Sequence, residues 1–156
     1  MALPDPFTFI AVDKELVCQF FAVFSRFEFA LKECGYVRDQ NGRAAPDWGR
    51  FKDDCKLTVA AADPLHGFMD YLIANPPQVQ EPNLKWMARP LRGATDEAKA
   101  LESIQRVRNN LFHGGKHPPM SSPGRDEQLV KASLAVLHAC LEQHPQLLSD
   151  YETTIF

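Results

Sequence analysis

The stretch whose residue types and spacing can do chemistry is Arg108-Asn109-Asn110-Leu111-Phe112-His113-Gly114-Gly115. Arginine is permanently charged and forked for phosphate, and histidine gains or loses a proton near neutral pH. The two stand at the end of a helical pattern that the paired glycines stop, which puts His113 in the last turn. Free carbonyls there favour a cationic side chain. An arginine and a histidine sharing one helix end point to work on a phosphodiester. Helix geometry limits this: Arg108 and His113 lie about 140° apart around the axis and roughly 7.5 Å along it. Asn109 and His113 do share a face, so Asn109 can orient the imidazole. Each residue also has a plain structural role open to it. His113 can merely complement the helix dipole, Arg108 can bridge to Glu28 or another acid, and Asn109 and Asn110 can cap the helix end.

The elements that must position these residues are marked out by proline. Twelve are present, none within 7–45, 91–117 or 124–144, and helix interiors exclude proline. The first window predicts a helix from Asp13, its N-cap, to Cys34, with Leu16, Phe20, Phe24, Phe27, Leu31 and Cys34 as its core stripe. Val17, Phe21 and Val23 widen that apolar surface, which makes the helix either central to its bundle or shared with a second subunit. Gly35 ends it, and 39–43 reads as a polar turn. Helices are expected over Trp48–Ala62 and Pro64–Ala74, with 78–94 a connector holding at most one helical turn. The motif helix runs from a Thr95 N-cap to Gly114, buried through Leu101, Ile104, Val107 and Leu111. A last helix over Arg125–His144 buries Leu129, Leu134, Leu137 and Leu141. With no strand-like alternation of any length, the expected fold is all-α, four to five helices in a single domain over 1–156.

Composition is that of a globular chain, 45% hydrophobic and 24% charged. No apolar run nears the roughly 20 residues of a membrane span, and Met1–Pro6 has no basic leader region, so a cytoplasmic location is expected. Cys18, Cys34, Cys55 and Cys140 form no C-x-x-C pair, which argues against zinc and for reduced cysteines, mostly buried; no cofactor is implied. Net charge is −3, but it is unevenly spread. Residues 1–84 hold 8 Lys/Arg against 12 Asp/Glu, residues 85–131 hold 9 against 5, and residues 132–156 hold 3 acids and no base. The positive third carries Arg108 and His113, and a local positive field is what a polyanion needs. Within it, Lys85-Trp86-Met87-Ala88-Arg89-Pro90-Leu91-Arg92 could stack on and neutralise single-stranded RNA, or could be a connector that pins Trp86 into the core. Lys116, Arg106, Arg92 and Arg89 are the weaker candidates for RNA contact. Arg106 and Arg125 otherwise read as solvated, and His66, His138 and His144 as structural.

The Arg-x4-His string ending in Phe-His-Gly, with Asn directly after the Arg, resembles the signature of the HEPN superfamily of small helical proteins. Phe24-Ser25-Arg26-Phe27-Glu28-Phe29-Ala30-Leu31-Lys32 is similar to the first long helix of compact single-domain microbial HEPN proteins. The Pro76-Pro77 turn and the Arg125-Asp126 helix start also match, so the resemblance covers about residues 14–145. It implies a HEPN-like bundle dimerising about a two-fold axis, with its site in the cleft between paired subunits. It further implies a metal-independent endoribonuclease of the kind that serves as a toxin or defence effector. The RNA's own 2′-hydroxyl would be the nucleophile and the product a 2′,3′-cyclic phosphate. His113 would then be general base or acid, Arg108 would stabilise phosphoryl charge, Asn109 would position the histidine or the phosphate, and Glu28 would reach the cleft from the first helix.

Two rival readings use the same residues. The chain could be a non-catalytic HEPN module that pairs with a nucleotidyltransferase or an antitoxin. Alternatively it could be a purely structural helical dimer whose Arg and His pair internally, a reading that burial of Arg108 against Glu28 would favour.

Overall fold

The computed structural model describes residues 1–113 and 122–154. Its framework is helical: α1 (Lys14–Glu33), α2 (Trp48–Asp54), α3 (Pro64–Ala74), α4 (Asp96–Phe112), α5 (Arg125–Gln143) and α6 (Pro145–Tyr151), preceded by a 3-10 turn at Pro6–Phe9. Two antiparallel hairpins interrupt it, β1 (Val37–Gln40) with β2 (Arg43–Pro46), and β3 (Val79–Gln80) with β4 (Trp86–Met87). Among the described residues the fold is thus mainly helical, as expected, with six α-helices where four or five are expected and two small two-stranded sheets beside them.

Local chemistry explains most boundaries. Asp13 caps α1 by accepting from the Glu15 and Leu16 amides, which satisfies two orphan donors. At the other end Gly35, at φ 98°, lets the Tyr36 amide return to the Leu31 carbonyl and its own amide to Lys32, a Schellman closure. Asp63 and Thr95 cap α3 and α4 in the same way as Asp13.

One expectation holds but leaves out the strands around it, and one fails for a physical reason. The polar stretch 39–43 is a hairpin tip, with Asn41 and Gly42 both at positive φ (55° and 78°), the turn that matches strand twist. The helix expected over 48–62 stops at Asp54. Beyond it, side chains of later helices take up the backbone: Glu97 accepts from the Leu57 amide, and the Gln143 amide group both accepts from and donates to Thr58. Tertiary partners thus replace the intrahelical ladder.

The core lies where α1, α3 and α4 meet α5, with α6 closing against α1. Phe20, Phe27, Leu31, Phe51, Leu72, Leu101, Ile104 and Leu137 are fully buried. Trp48 stacks on Phe27 (5.5 Å, 12°) and Phe24 (5.4 Å, 26°), fixing short α2 to α1. Val17 and Val23, which broaden the apolar surface of α1, are buried within the chain itself. Arg26 holds the end of α6 through the Tyr151 and Thr153 carbonyls. Among the described residues, no helix is long and apolar enough to cross a membrane.

Candidate functional site

Helix α4 ends at Phe112, and His113 is its C-cap, its amide bonded to the Asn109 carbonyl at 2.9 Å. His113 therefore sits at the helix end, as its spacing predicts. Helix geometry alone leaves Arg108 and His113 on different faces, and Phe112 is what links them. The Arg108 guanidinium lies 4.7 Å from the Phe112 ring centroid, and the His113 ring stands edge-on to the same ring at 5.3 Å. Phe21 of α1 supports Phe112 from below (5.8 Å, 85°), while Phe24 lies 5.7 Å from the guanidinium. Phe112 remains 60% exposed, and His113 is exposed beside it. A cation and an imidazole thus flank one open aromatic ring. The sequence carried the signal for this in the four-residue step from Arg108 to Phe112 and in the unusually aromatic α1.

Two assigned roles change. Asn109 does not hold the imidazole; its Oδ1 accepts from Arg108 Nη1 at 3.1 Å, so it orients the guanidinium. Glu28 accepts from the Trp48 indole at 2.8 Å, and its hydrogen bond turns it toward α2 instead of toward Arg108. The Arg108–Glu28 bridge of the structural-dimer reading is therefore not made. Lys116 and the glycines after His113 lie outside the described residues.

The weaker basic candidates divide. Arg106 is not solvated: it donates to the Arg89 carbonyl (2.7 Å) and the Pro90 carbonyl (3.0 Å) and pairs with Glu102 at 2.7 Å. Asn110 adds a bond to the Gln78 carbonyl. Together they clamp the β3–β4 hairpin onto α4. Arg125 is likewise occupied, by the Asn75 carbonyl at 3.0 Å. Arg89 pairs with Glu81 at 2.9 Å, and Arg92 offers Glu102 its backbone amide while its side chain is exposed. Burial raises the Glu102 carboxyl, but the Arg92 amide and the Arg106 guanidinium outweigh it and hold Glu102 below the usual carboxylate range. Trp86 is half-exposed on β4 and is not pinned into the core. His144 bonds the Cys140 carbonyl at 2.7 Å, a structural role as expected, whereas His66 and His138 are exposed.

Among the described residues, two cavities lie elsewhere. One of about 320 Å³ opens beside the first hairpin at Arg38 and Arg43, and one of about 230 Å³ lies between His66, Asp70 and Glu97. No group of His, Cys, Asp or Glu among these residues could hold a metal ion.

The fold and site together define a mainly helical domain with a half-buried arginine beside an exposed Phe–His pair at one helix end. No family model matches the chain, and no curated protein or solved structure matches it.

Proposed function

We propose that the protein is a metal-independent endoribonuclease of HEPN type, acting in the cytoplasm as a toxin or defence effector. The observation that carries this reading is the cluster at the end of α4, in which half-buried Arg108 lies against the exposed Phe112 ring and the exposed His113 stands on that ring's edge. In this scheme His113 takes the proton from the RNA 2′-hydroxyl or delivers one to the leaving 5′-oxygen. The 2′-oxygen attacks the adjacent phosphorus, the bond to the 5′-oxygen breaks, and a 2′,3′-cyclic phosphate remains. Arg108, steered by Asn109, offers N–H donors to the phosphoryl oxygens as their charge grows. The exposed ring of Phe112 gives a base a face to stack on.

One histidine supplies one proton-transfer group, whereas the reaction needs a base and an acid. A second copy of the chain, packed about a two-fold axis with both α4 ends in one cleft, supplies the other. The test is purified protein incubated with a mixed RNA pool in EDTA, wild type beside His113→Ala, with product ends analysed. Cleavage leaving cyclic phosphate, and lost in the variant, is the expected result. Cleavage retained in both His113→Ala and Arg108→Ala would overturn the proposal.

One feature favours the binding-module alternative. Arg108 already rests on two rings and an amide, contacts that suit a docking anchor for a nucleotidyltransferase or antitoxin as well as they suit catalysis. That reading expects a stable complex and no RNA turnover by folded wild-type protein.

A further inference from the structure

Two of the four cysteines meet inside the core. Cys55, the C-cap of α2, and Cys140, in α5, are 85 positions apart in the chain, yet their sulfurs lie 3.8 Å apart. Both are sealed from solvent, at 1% and 0% exposure, while Cys18 is exposed and Cys34 half-buried. Each sulfur is the other's hydrogen-bond partner in that apolar setting. The short α2 they would tether is held by aromatic stacking and by Lys52, which reaches Gln105 of α4 at 3.1 Å. After Cys55 the chain runs without regular structure to Ala60.

We propose that Cys55 and Cys140 are a built-in oxidation site, forming a disulfide with a hydroperoxide as oxidant and so locking α2 to α5. The sulfurs must close to about 2.0 Å, an approach that the end of a seven-residue helix followed by irregular chain can supply. The thiolate of Cys55 attacks the peroxide, breaking its O–O bond, and becomes a sulfenic acid. The Cys140 sulfur then displaces the sulfenic oxygen, forming the S–S bond. With hydrogen peroxide, the two thiol hydrogens leave in two waters; the thiols are oxidised and the peroxide reduced. Contact with Cys55, together with burial, holds Cys140 protonated well above the ordinary thiol range. Both sulfurs are sealed from solvent, so a peroxide reaches Cys55 only when the end of α2 opens, and that opening sets the rate of oxidation.

Reduced full-length protein is exposed to hydrogen peroxide under native conditions, with and without mild urea, then capped with iodoacetamide, weighed intact and mapped by peptide. Apart from the carbamidomethyl groups on its remaining free thiols, the expected product has lost about 2 Da, two hydrogens, carries a Cys55–Cys140 cross-link, and forms faster in mild urea. Its melting temperature should rise by on the order of 10 °C, because a cross-link closing a long loop restrains the unfolded chain, and dithiothreitol should reverse the rise. The wild-type protein is its own control, so the result does not depend on a Cys55→Ser variant folding. Pairing through Cys18 or Cys34, over-oxidation without a cross-link, or a cross-linked form no more stable than the reduced one would each overturn the proposal. None of these outcomes bears on RNA cleavage.

Discussion

Arg106 and Arg108 stand two residues apart on α4 and do opposite things. Arg106 faces the β3–β4 side, where carbonyls and Glu102 take up its donors and bind a hairpin to the helix. Arg108 faces α1, where ring faces and one amide contact it. A ring face uses the charge of a guanidinium without consuming its N–H donors. The first arginine is therefore spent on the fold, and the second keeps donors for a ligand. Identical side chains on one helix are told apart by the chemistry of their neighbours, carbonyl oxygens for one and aromatic carbon for the other.

The sharpest way to break this comparison is to remove the two groups on the open side. His113→Ala is expected to lower RNA cleavage by about 10²–10⁴-fold, and Arg108→Ala by about 10²–10³-fold. Both should leave the melting temperature nearly unchanged, because His113 is exposed and Arg108 gives up only about 0.5–1 kcal/mol of cation–π contact. Cleavage assays run beside thermal melts check both halves. A large loss of stability in Arg108→Ala would mean that this arginine belongs with Arg106.

On the clamped side the expectations invert. Arg106→Ala should cost about 2–3 kcal/mol, since it leaves Glu102 half-buried without its cation and strips carbonyls of their donor. A urea titration reads this, and hydrogen exchange should show the amides of β3 and β4 losing protection first. The same clamp carries a smaller pH dependence. Folding lowers the pKa of Glu102, so its contribution is fully present above the unfolded carboxylate pKa and fades as pH falls through the folded value. Glu102→Gln should be less stable than wild type at neutral pH and should lose less on acidification, as melts across the acidic range would show. Parallel curves would remove Glu102 from the clamp.

The four longer helices were legible in the sequence because caps and apolar periodicity are local signals, whereas α6 was not expected. Asp13, Asp63 and Thr95 announce the starts of α1, α3 and α4, and proline-free windows bound the long elements. The turn at 39–43 was legible but the hairpin around it was not, since two four-residue strands, exposed throughout β1 and at the start of β2, carry no alternation to notice. What sequence could not supply was pairing across the fold. The Glu28–Trp48 bond, the carbonyls that engage Arg106 and the contact of Cys55 with Cys140 join positions 20, 17 and 85 residues apart. The end of α2 failed for the same reason, because its competitors, Glu97 and Gln143, lie on helices far along the chain. The Arg-x4-His spacing marked a helix end, and α4 does end at Phe112 with His113 as its C-cap. It did not reveal that Phe112 joins the two residues.

Phe112 offers the finest test of the contrast between the two sides of α4. Replacing a buried phenylalanine of this core, such as Phe27, with alanine costs about 3–5 kcal/mol. Phe112 is 60% exposed, and its ring meets Phe21 by an edge, so Phe112→Ala should cost well under that, about 1 kcal/mol. Its effect on function should be larger than its effect on stability. Without the ring, Arg108 loses the surface that holds it beside His113, and a bound base loses a stacking face worth about 1–3 kcal/mol. Single-stranded RNA affinity, measured by fluorescence anisotropy in the His113→Ala background to prevent turnover, should fall for the added Phe112→Ala and be partly restored by Phe112→Tyr. Leucine should not restore it, since it is apolar without offering a ring. Equal rescue by leucine and tyrosine would mean that Phe112 contributes apolar area, the behaviour of a subunit contact. The distinction between a clamped side and a ligand side of α4 would then have to be redrawn around the dimer.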